Sequence, residues 1–274
     1  MPAATLPRTL VLVGAGKMGG AMLEGWLGVG LDPRGVTVID PRVSDEMAEL
    51  CRSKGIALSP AEPAGSPDVL VLATKPQSLD DAAPGVDRIL EPHTLVISIL
   101  AGKTIGNLRA RLPRARAVVR AMPNLPASIG RGATGAAASP EVSEEQRAVA
   151  DTLLRCNGLV EWVGSEDLID AVTAVSGSGP AYVFHLVECL AEAGVAAGLP
   201  ADLAGRLARA TIEGAGELLF RSDLSPATLR QNVTSPGGTT AAALEVLMAE
   251  RGGMRDLMRE AVAAAKRRAE ELAG

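Results

Sequence analysis

The stretch Ser235-Pro236-Gly237-Gly238-Thr239-Thr240 sits directly before the helix-like run AAALEVLMAE and sets two hydroxyls beside two glycines. One side-chain oxygen suffices to cap a helix. Pro236 ends the preceding segment, Gly237 and Gly238 expose main-chain amides, and Thr239 or Thr240 begins the helix. Free amides together with the positive end of a helix dipole hold a small carboxylate without any arginine. A hydroxyl next to that anion is placed to hydrogen-bond a nitrogen or oxygen of the same ligand.

A second chemistry-bearing turn lies near the start, where the run TLVLV leads into Gly14-Ala15-Gly16-Lys17-Met18-Gly19. This G-x-G-x-x-G ends a strand and opens a helix, the context that marks a dinucleotide turn. Gly14 allows the tight bend, Gly16 lets the backbone approach a pyrophosphate, and Gly19 brings helix against strand. The next strand ends at Asp40, where a carboxylate accepts hydrogen bonds from the adenosine ribose and favours NADH. Arg42 follows and neutralises a 2′-phosphate, which favours NADPH. Both readings stand on the sequence.

Three further turns are candidates. Lys75-Pro76 in ATKPQ and Ser98 to Gly102 in SILAG end core strands at one sheet edge, suited to the ribose–nicotinamide end of the cofactor. Val175-Ser176-Gly177-Ser178-Gly179-Pro180 reads as a break before a long helix, with Ser178 a cap and Pro180 at its first helical position. In Arg120-Ala121-Met122-Pro123-Asn124, Asn124 is a candidate to orient substrate or cofactor, or a simple turn residue, with Arg120 an ion-pair partner.

The elements that position these residues fall into two kinds. From Thr9 to about Trp162, apolar runs (TLVLV, VTVID, DVLVLAT, TLVISI, RAVVRA) alternate with helical patterns. That is the pattern of a doubly wound α/β fold, a parallel sheet covered on both faces. From about Glu166 onward the pattern is helical throughout, Ala- and Leu-rich, with Gly194, Ala197, Gly205 and Gly214 allowing close helix approach. The division expected is a dinucleotide-binding domain over 1–164 and an all-helical domain over 165–274, meeting at a compact turn near Gly164 and Ser165. So much apolar surface in a short helical domain predicts an obligate homo-oligomer built through that half.

Composition excludes several function classes. The 274 residues carry 32 Asp and Glu against 27 Lys and Arg, so no polyanion surface and no nucleic-acid partner are expected. Cys51, Cys156 and Cys189 are odd in number and lack CxxC spacing, which predicts no disulfide framework and no zinc site. The pairs Asp80-Asp81, Glu144-Glu145 and Glu166-Asp167 read as solvated faces, and no metal site is expected. His93 sits in a loop and His185 on a helix, in packing or surface roles. With no leader pattern and no apolar run near the roughly 18 residues of a membrane span, a cytoplasmic protein is expected.

Taken together, GAGKMG, ATKP, SILAG, RAMPN, VSGSGPAYVF and TSPGGTT, in this order, resemble the pyrroline-5-carboxylate reductase family. The resemblance implies NAD(P)H-dependent reduction of the C=N bond of 1-pyrroline-5-carboxylate to L-proline. It also implies an N-terminal Rossmann-type domain and a C-terminal helical domain that interlocks with a second subunit, the dimers often assembling into decamers. Carried over by motif, Gly14, Ala15, Gly16, Lys17, Met18 and Gly19 hold the pyrophosphate. Ala73, Thr74, Lys75, Pro76, Ile99, Leu100 and Ala101 hold the ribose–nicotinamide portion, with Asn232 beside the cofactor. Thr240 matches the active-site threonine that approaches the ring nitrogen. Ser235, Gly238 and Thr239 match the turn that holds the substrate carboxylate, and Ser176 is counted with the substrate-binding residues. Two positions depart from the family pattern: Thr239, where many relatives have Ala, and Leu100, where Ala is usual.

Two other readings fit less well. A β-hydroxyacid dehydrogenase needs a lysine on a helix of the second half, where this chain has only Lys266 near its tail. A non-catalytic dinucleotide sensor has no need of a second, carboxylate-sized anion site, and another cyclic imine remains a variant of the same chemistry.

Overall fold

A computed structural model describes residues 6–59 and 65–273. Its N-terminal part alternates β1 (Leu10–Val13), α1 (Lys17–Gly28), β2 (Val36–Ile39), α2 (Asp45–Lys54), β3 (Ala57–Ser59), β4 (Val69–Leu72), α3 (Leu79–Arg88), β5 (Leu95–Ser98), α4 (Ile105–Arg111) and β6 (Ala117–Met122). Then come β7 (Gly132–Ala138), α5 (Glu144–Arg155), β8 (Gly158–Trp162) and α6 (Leu168–Val172). The strands form one sheet in the order β3-β2-β1-β4-β5-β6-β7-β8. All neighbours are parallel except β6 and β7.

The order reverses direction between β1 and β4, whose register pairs Val13 with Leu72. Ligands of open α/β sheets bind beyond the carboxyl ends of the strands at such a switch point. β1, β4 and β5 are buried at every position. Their residues alternate between two cores: Leu10 and Leu12 pack with Met22, Leu23, Trp26 and Leu153, whereas Val11 and Val13 pack with Leu79, Val86 and Leu108. Helices therefore cover both faces, which is why these strands read as continuous apolar runs rather than alternating ones. Trp26 is fully buried, and its indole N–H donates to the Leu153 carbonyl at 2.8 Å, joining α1 to α5.

Besides the five strands expected from apolar runs the sheet contains β3, β7 and β8, and in β7 the run GATGAAA has no bulky apolar side chain to signal a strand. Its smallness has a structural cause. A Cβ added to Gly135 would lie 2.6 Å from a Val172 methyl, so α6 packs where only glycine fits. Beneath α6, the guanidinium of Arg120 on β6 is almost wholly buried; it donates to Asp170 at 2.9 Å and to Glu166 at 3.2 Å. Glu166 also accepts the Ile105 amide at 2.7 Å, tying the start of α4 to the same cluster. Glu166 thus does not belong to a solvated face: a buried cation on β6 draws it inward, since an unpaired buried charge is untenable.

Five residues after α6, Thr173–Gly177, form a π-helical turn that continues directly into α7 (Gly179–Ala196). The break expected at SGSGP is absent. Ser178 does not cap; its amide donates five residues back to Thr173 at 2.8 Å. The remaining elements are helical: α8 (Ala201–Arg221), α9 (Pro226–Asn232), α10 (Thr239–Leu247) and α11 (Met254–Ala273).

Contacts divide the chain into one unit of Met1–Ser178 with Ala265–Gly274 and a second of Gly179–Ala264. In the second unit α7 and α8 pack closely, and a Cβ on Gly194 would meet that of Ala204 at 3.2 Å. Ala204 and Ala208 are buried there, but Val183, Phe184, Leu190, Leu218, Leu219 and Val246 are exposed. Gly205 and Gly214 have open space around them. In the first unit the end of α11 lies against the turn after β5, where Gly102 adopts φ +71° and a Cβ would come within 2.9 Å of Leu272. No described helix is long and apolar enough to cross a membrane.

Replacing Arg120 by Ala would leave Glu166 and Asp170 without the guanidinium from which both accept hydrogen bonds. Unfolding in urea at a fixed protomer concentration should show a loss of about 3–5 kcal/mol; a loss below about 1 kcal/mol would mean that the cluster is solvated.

Candidate active site

The glycine turn after β1 is shaped by close approaches. Gly14 has φ +92°, and a Cβ there would lie 2.8 Å from the backbone of Ala73 and Thr74. A Cβ on Gly19 would collide with the Gly14 carbonyl. These two glycines are required by the protein itself. Gly16 differs: nothing in the chain lies within 4 Å of where its Cβ would be. It is the N-cap of α1 and supplies no side-chain cap, so the first amides of α1 stay without an intrahelical partner. Open space in front of uncapped amides is a cradle of the kind that a pyrophosphate fills.

Gly14, Gly16, Asp40, Arg42, Ala73, Thr74 and Lys75 line one cleft of about 960 Å³ at the switch point. Ala15, Lys17 and Met18 line a second cleft of about 850 Å³ between α1 and α2, which shares Gly16 and Arg42 with the first. Asp40 Oδ2 accepts the Ala15 amide at 2.8 Å, and Oδ1 accepts the Arg42 amide at 2.8 Å. In the wall of the first cleft the Thr74 hydroxyl is buried without a hydrogen-bond partner among the described residues. Such an orphan costs about 1–3 kcal/mol, a cost that a polar group of a bound dinucleotide relieves. The residues present therefore fit a dinucleotide.

The SILAG turn follows β5 at the same edge. Its Leu100 side chain is buried in the core that holds Val11 and Val13. The departure from Ala is thus absorbed by packing. Leu100 donates its amide to the Ser98 hydroxyl at 3.3 Å, and Lys103 closes the turn on the Leu100 carbonyl at 3.2 Å. Ala101 is exposed. Ile99 and Pro76 adjoin these turns without lining either cleft.

Asn124 and Ser176 serve the backbone. Asn124 accepts the Ala133 amide at 2.9 Å and donates to the Ser176 carbonyl at 3.1 Å. The Ser176 hydroxyl donates to the Ala133 carbonyl at 2.8 Å. Together they fasten the π turn to β7, so the hydroxyl assigned to substrate from the sequence is already engaged by a strand.

In the helical unit, Ser235–Thr240 forms the turn that opens α10. Gly237 has φ +68°, and Gly238, in extended conformation, is the N-cap. Gly238 donates to the Ser235 carbonyl at 3.0 Å, and the first helical bond runs from Ala242 to Gly238 at 3.2 Å. No side chain caps the helix, so the amides of Thr239, Thr240 and Ala241 precede the first intrahelical donor. Thr239 is the first helical residue; it is exposed and Thr240 half-buried. Asn232 ends α9 and is exposed.

The remaining reactive groups lie elsewhere. His185 pairs with Glu188 at 2.9 Å on α7, and His93 sits 3.5 Å from Ser66. Burial pushes the thiols of Cys51 and Cys156 above their usual range. No group of three metal-ligating side chains occurs among the described residues. The residues that sequence reasoning missed are Glu166 and Asp170, which lie 46 and 50 positions from Arg120 and share no local motif with it.

Residues 166–272 match the family described as pyrroline-5-carboxylate reductase dimerisation, and residues 9–102 match that described as NADP oxidoreductase coenzyme F420-dependent. A pyrroline-5-carboxylate reductase of Pseudomonas aeruginosa is 38% identical over 266 residues, covering 96% of each chain. The chain belongs to the pyrroline-5-carboxylate reductase family. A pyrroline-5-carboxylate reductase of Coxiella burnetii superposes with a TM-score of 0.89 at 37% identity, over 97% of this chain and 99% of that one. The Plasmodium falciparum pyrroline carboxylate reductase with NADP bound superposes with a TM-score of 0.78 at 26% identity, over 97% and 98%.

The two kinds of glycine separate experimentally. Gly16→Val should keep the melting temperature and weaken dinucleotide binding by about tenfold or more, about 1.4 kcal/mol. Gly14→Val should lower the melting temperature as well. Calorimetric titration with each variant checks this, and full binding by Gly16→Val would rule out the cradle.

Proposed function

We propose that this member of the family reduces 1-pyrroline-5-carboxylate to L-proline with NADH or NADPH. The start of α10 carries the reading: three consecutive amides without a cap, with a threonine hydroxyl among them, match a ligand whose carboxylate is separated from the C=N nitrogen by one carbon. The reduced nicotinamide, when bound, supplies a hydride to the C=N carbon. Positioning falls to the chain. The amides of Gly14 to Gly19 hold the pyrophosphate, with Asp40 and Arg42 at the ribose. Ala73 to Pro76 and Ile99 to Ala101 support the ribose–nicotinamide end, and Asn232 lies beside the cofactor. Ser235, Gly238 and Thr239 fix the carboxylate, and the Ser176 hydroxyl, which keeps acceptor capacity after donating to Ala133, is a further substrate contact.

Thr240 is the catalytic residue of this scheme. A protonated cyclic imine is already electrophilic, so orientation matters more than a strong acid. The Thr240 hydroxyl accepts the iminium N–H and relays the proton that water supplies when the neutral imine is taken up. A hydroxyl titrates far above neutrality, which suits this role and not that of a general acid.

Residues 1–164 act in this scheme as the cofactor domain and 165–274 as the dimerisation and substrate-binding domain. The exposed apolar side chains of α7, α8 and α10 support assembly as a homodimer or as a decamer built of five dimers, and the scheme places the enzyme in the cytoplasm.

Purified protein given 1-pyrroline-5-carboxylate should oxidise NADH or NADPH, followed by the loss of nicotinamide absorbance. Silence with both, in a folded protein, would refute the substrate. Thr240→Ala should lower kcat/KM by about ten- to a hundredfold with dinucleotide affinity unchanged. Light scattering should give two chains or a multiple of two; a stable monomer would remove the assembly from the scheme.

A further inference from the structure

The ribose end of the cofactor cleft holds two residues of opposite charge, and the structure separates their roles. Asp40 follows the last residue of β2 and is half-buried in the cleft wall. Its two oxygens are held by different amides, Ala15 of the glycine turn and Arg42 of its own turn, each at 2.8 Å. A carboxylate offers about four lone-pair directions, so acceptor capacity remains after these two bonds. The same chain that cradles the pyrophosphate thus fixes a negative charge next to it.

Arg42 is exposed, and only its backbone enters this arrangement. A solvated guanidinium must order a long side chain to hold an anion, and salt screens the pair. The nearby start of α2 offers no alternative phosphate site. The Ser44 hydroxyl there accepts the Met47 amide at 3.2 Å, and Asp45 and Glu46 occupy the first turn. The positive end of that helix is already matched by its own carboxylates. Lys75 and Arg88 also line the cleft, on the side formed by the β4 turn and α3. Arg88 is engaged with the Pro84 carbonyl at 3.0 Å.

We infer that this enzyme takes NADH in preference to NADPH, with Asp40 as the specificity-determining residue. The inference rests on the glycine turn being the dinucleotide site. Asp40 accepts hydrogen bonds from the ribose hydroxyls of NADH. The 2′-phosphate of NADPH removes one of those donors and sets a like charge beside a carboxylate that two amides prevent from swinging away.

The test is calorimetric titration of the full-length enzyme with NADH and with NADPH, without imine, at low and high salt. The dissociation constant for NADH should be at least about tenfold the smaller, and the gap should narrow at high salt. Asp40→Asn, checked for an unchanged melting temperature, should move the ratio toward NADPH by at least about tenfold. Equal or tighter NADPH binding by the unmodified enzyme overturns the inference whether or not the variant folds, and assigns the 2′-phosphate to Arg42, Lys75 or Arg88. Binding of neither dinucleotide overturns the site itself, and the preference with it.

Discussion

Helix N-terminal amides that no side chain satisfies are the constraint around which this enzyme is organised. Four helices begin on a serine or threonine whose hydroxyl accepts an amide of the first turn: Ser44, Thr104, Ser143 and Ser225. α1 and α10 begin on Gly16 and Gly238, which have no oxygen to offer. Free amides at a helix start are costly to leave without a partner and well suited to an anion. One such start follows the strand at the switch point of the sheet and suits a pyrophosphate. The other has a hydroxyl within its first turn and suits a small imino acid.

The sheet makes the first of these turns rigid. Gly14 is pressed against the backbone after β4, so the glycine turn and the ATKP turn move as one piece. The SILAG turn is braced by the buried Leu100 on one side and by the end of α11 against Gly102 on another. Glu166 adds a further tie by accepting the first amide of α4 while it neutralises Arg120. The turn that leads from β5 into α4 therefore depends on an ionic cluster centred on a buried guanidinium.

Beyond β8 the fold changes its source of stability. The helices of the second unit bury small alanines against one another and leave large apolar side chains exposed. Hydrophobic surface on that scale is stable when another surface covers it. Membership of a family whose matching segment is described by dimerisation accounts for a helical unit that leaves so many large apolar side chains exposed.

Much of this was legible in the chain itself. The five apolar strands, the glycine turn, the switch to helices after Trp162 and the turn before α10 follow from local spacing, since period, glycine and proline act over a few residues. Other features depended on partners distant in sequence. The strand β7 is invisible in GATGAAA because Gly135 answers to Val172 of α6 and Gly132 to Asn157 and Ala127, and the inward turn of Glu166 answers to a guanidinium on β6. Ser176 reads as a free hydroxyl until β7 is seen to hold it. Asp40 and Arg42 stand two positions apart and were equal candidates as residue types. Only the folded glycine turn, whose Ala15 amide fixes the carboxylate in the cleft wall, made them unequal. The sequence by itself determined which turns can bind anions, because that depends on backbone freedom encoded locally; the tertiary structure decided which side chains are still free to act there, because that depends on what the rest of the chain has already bound.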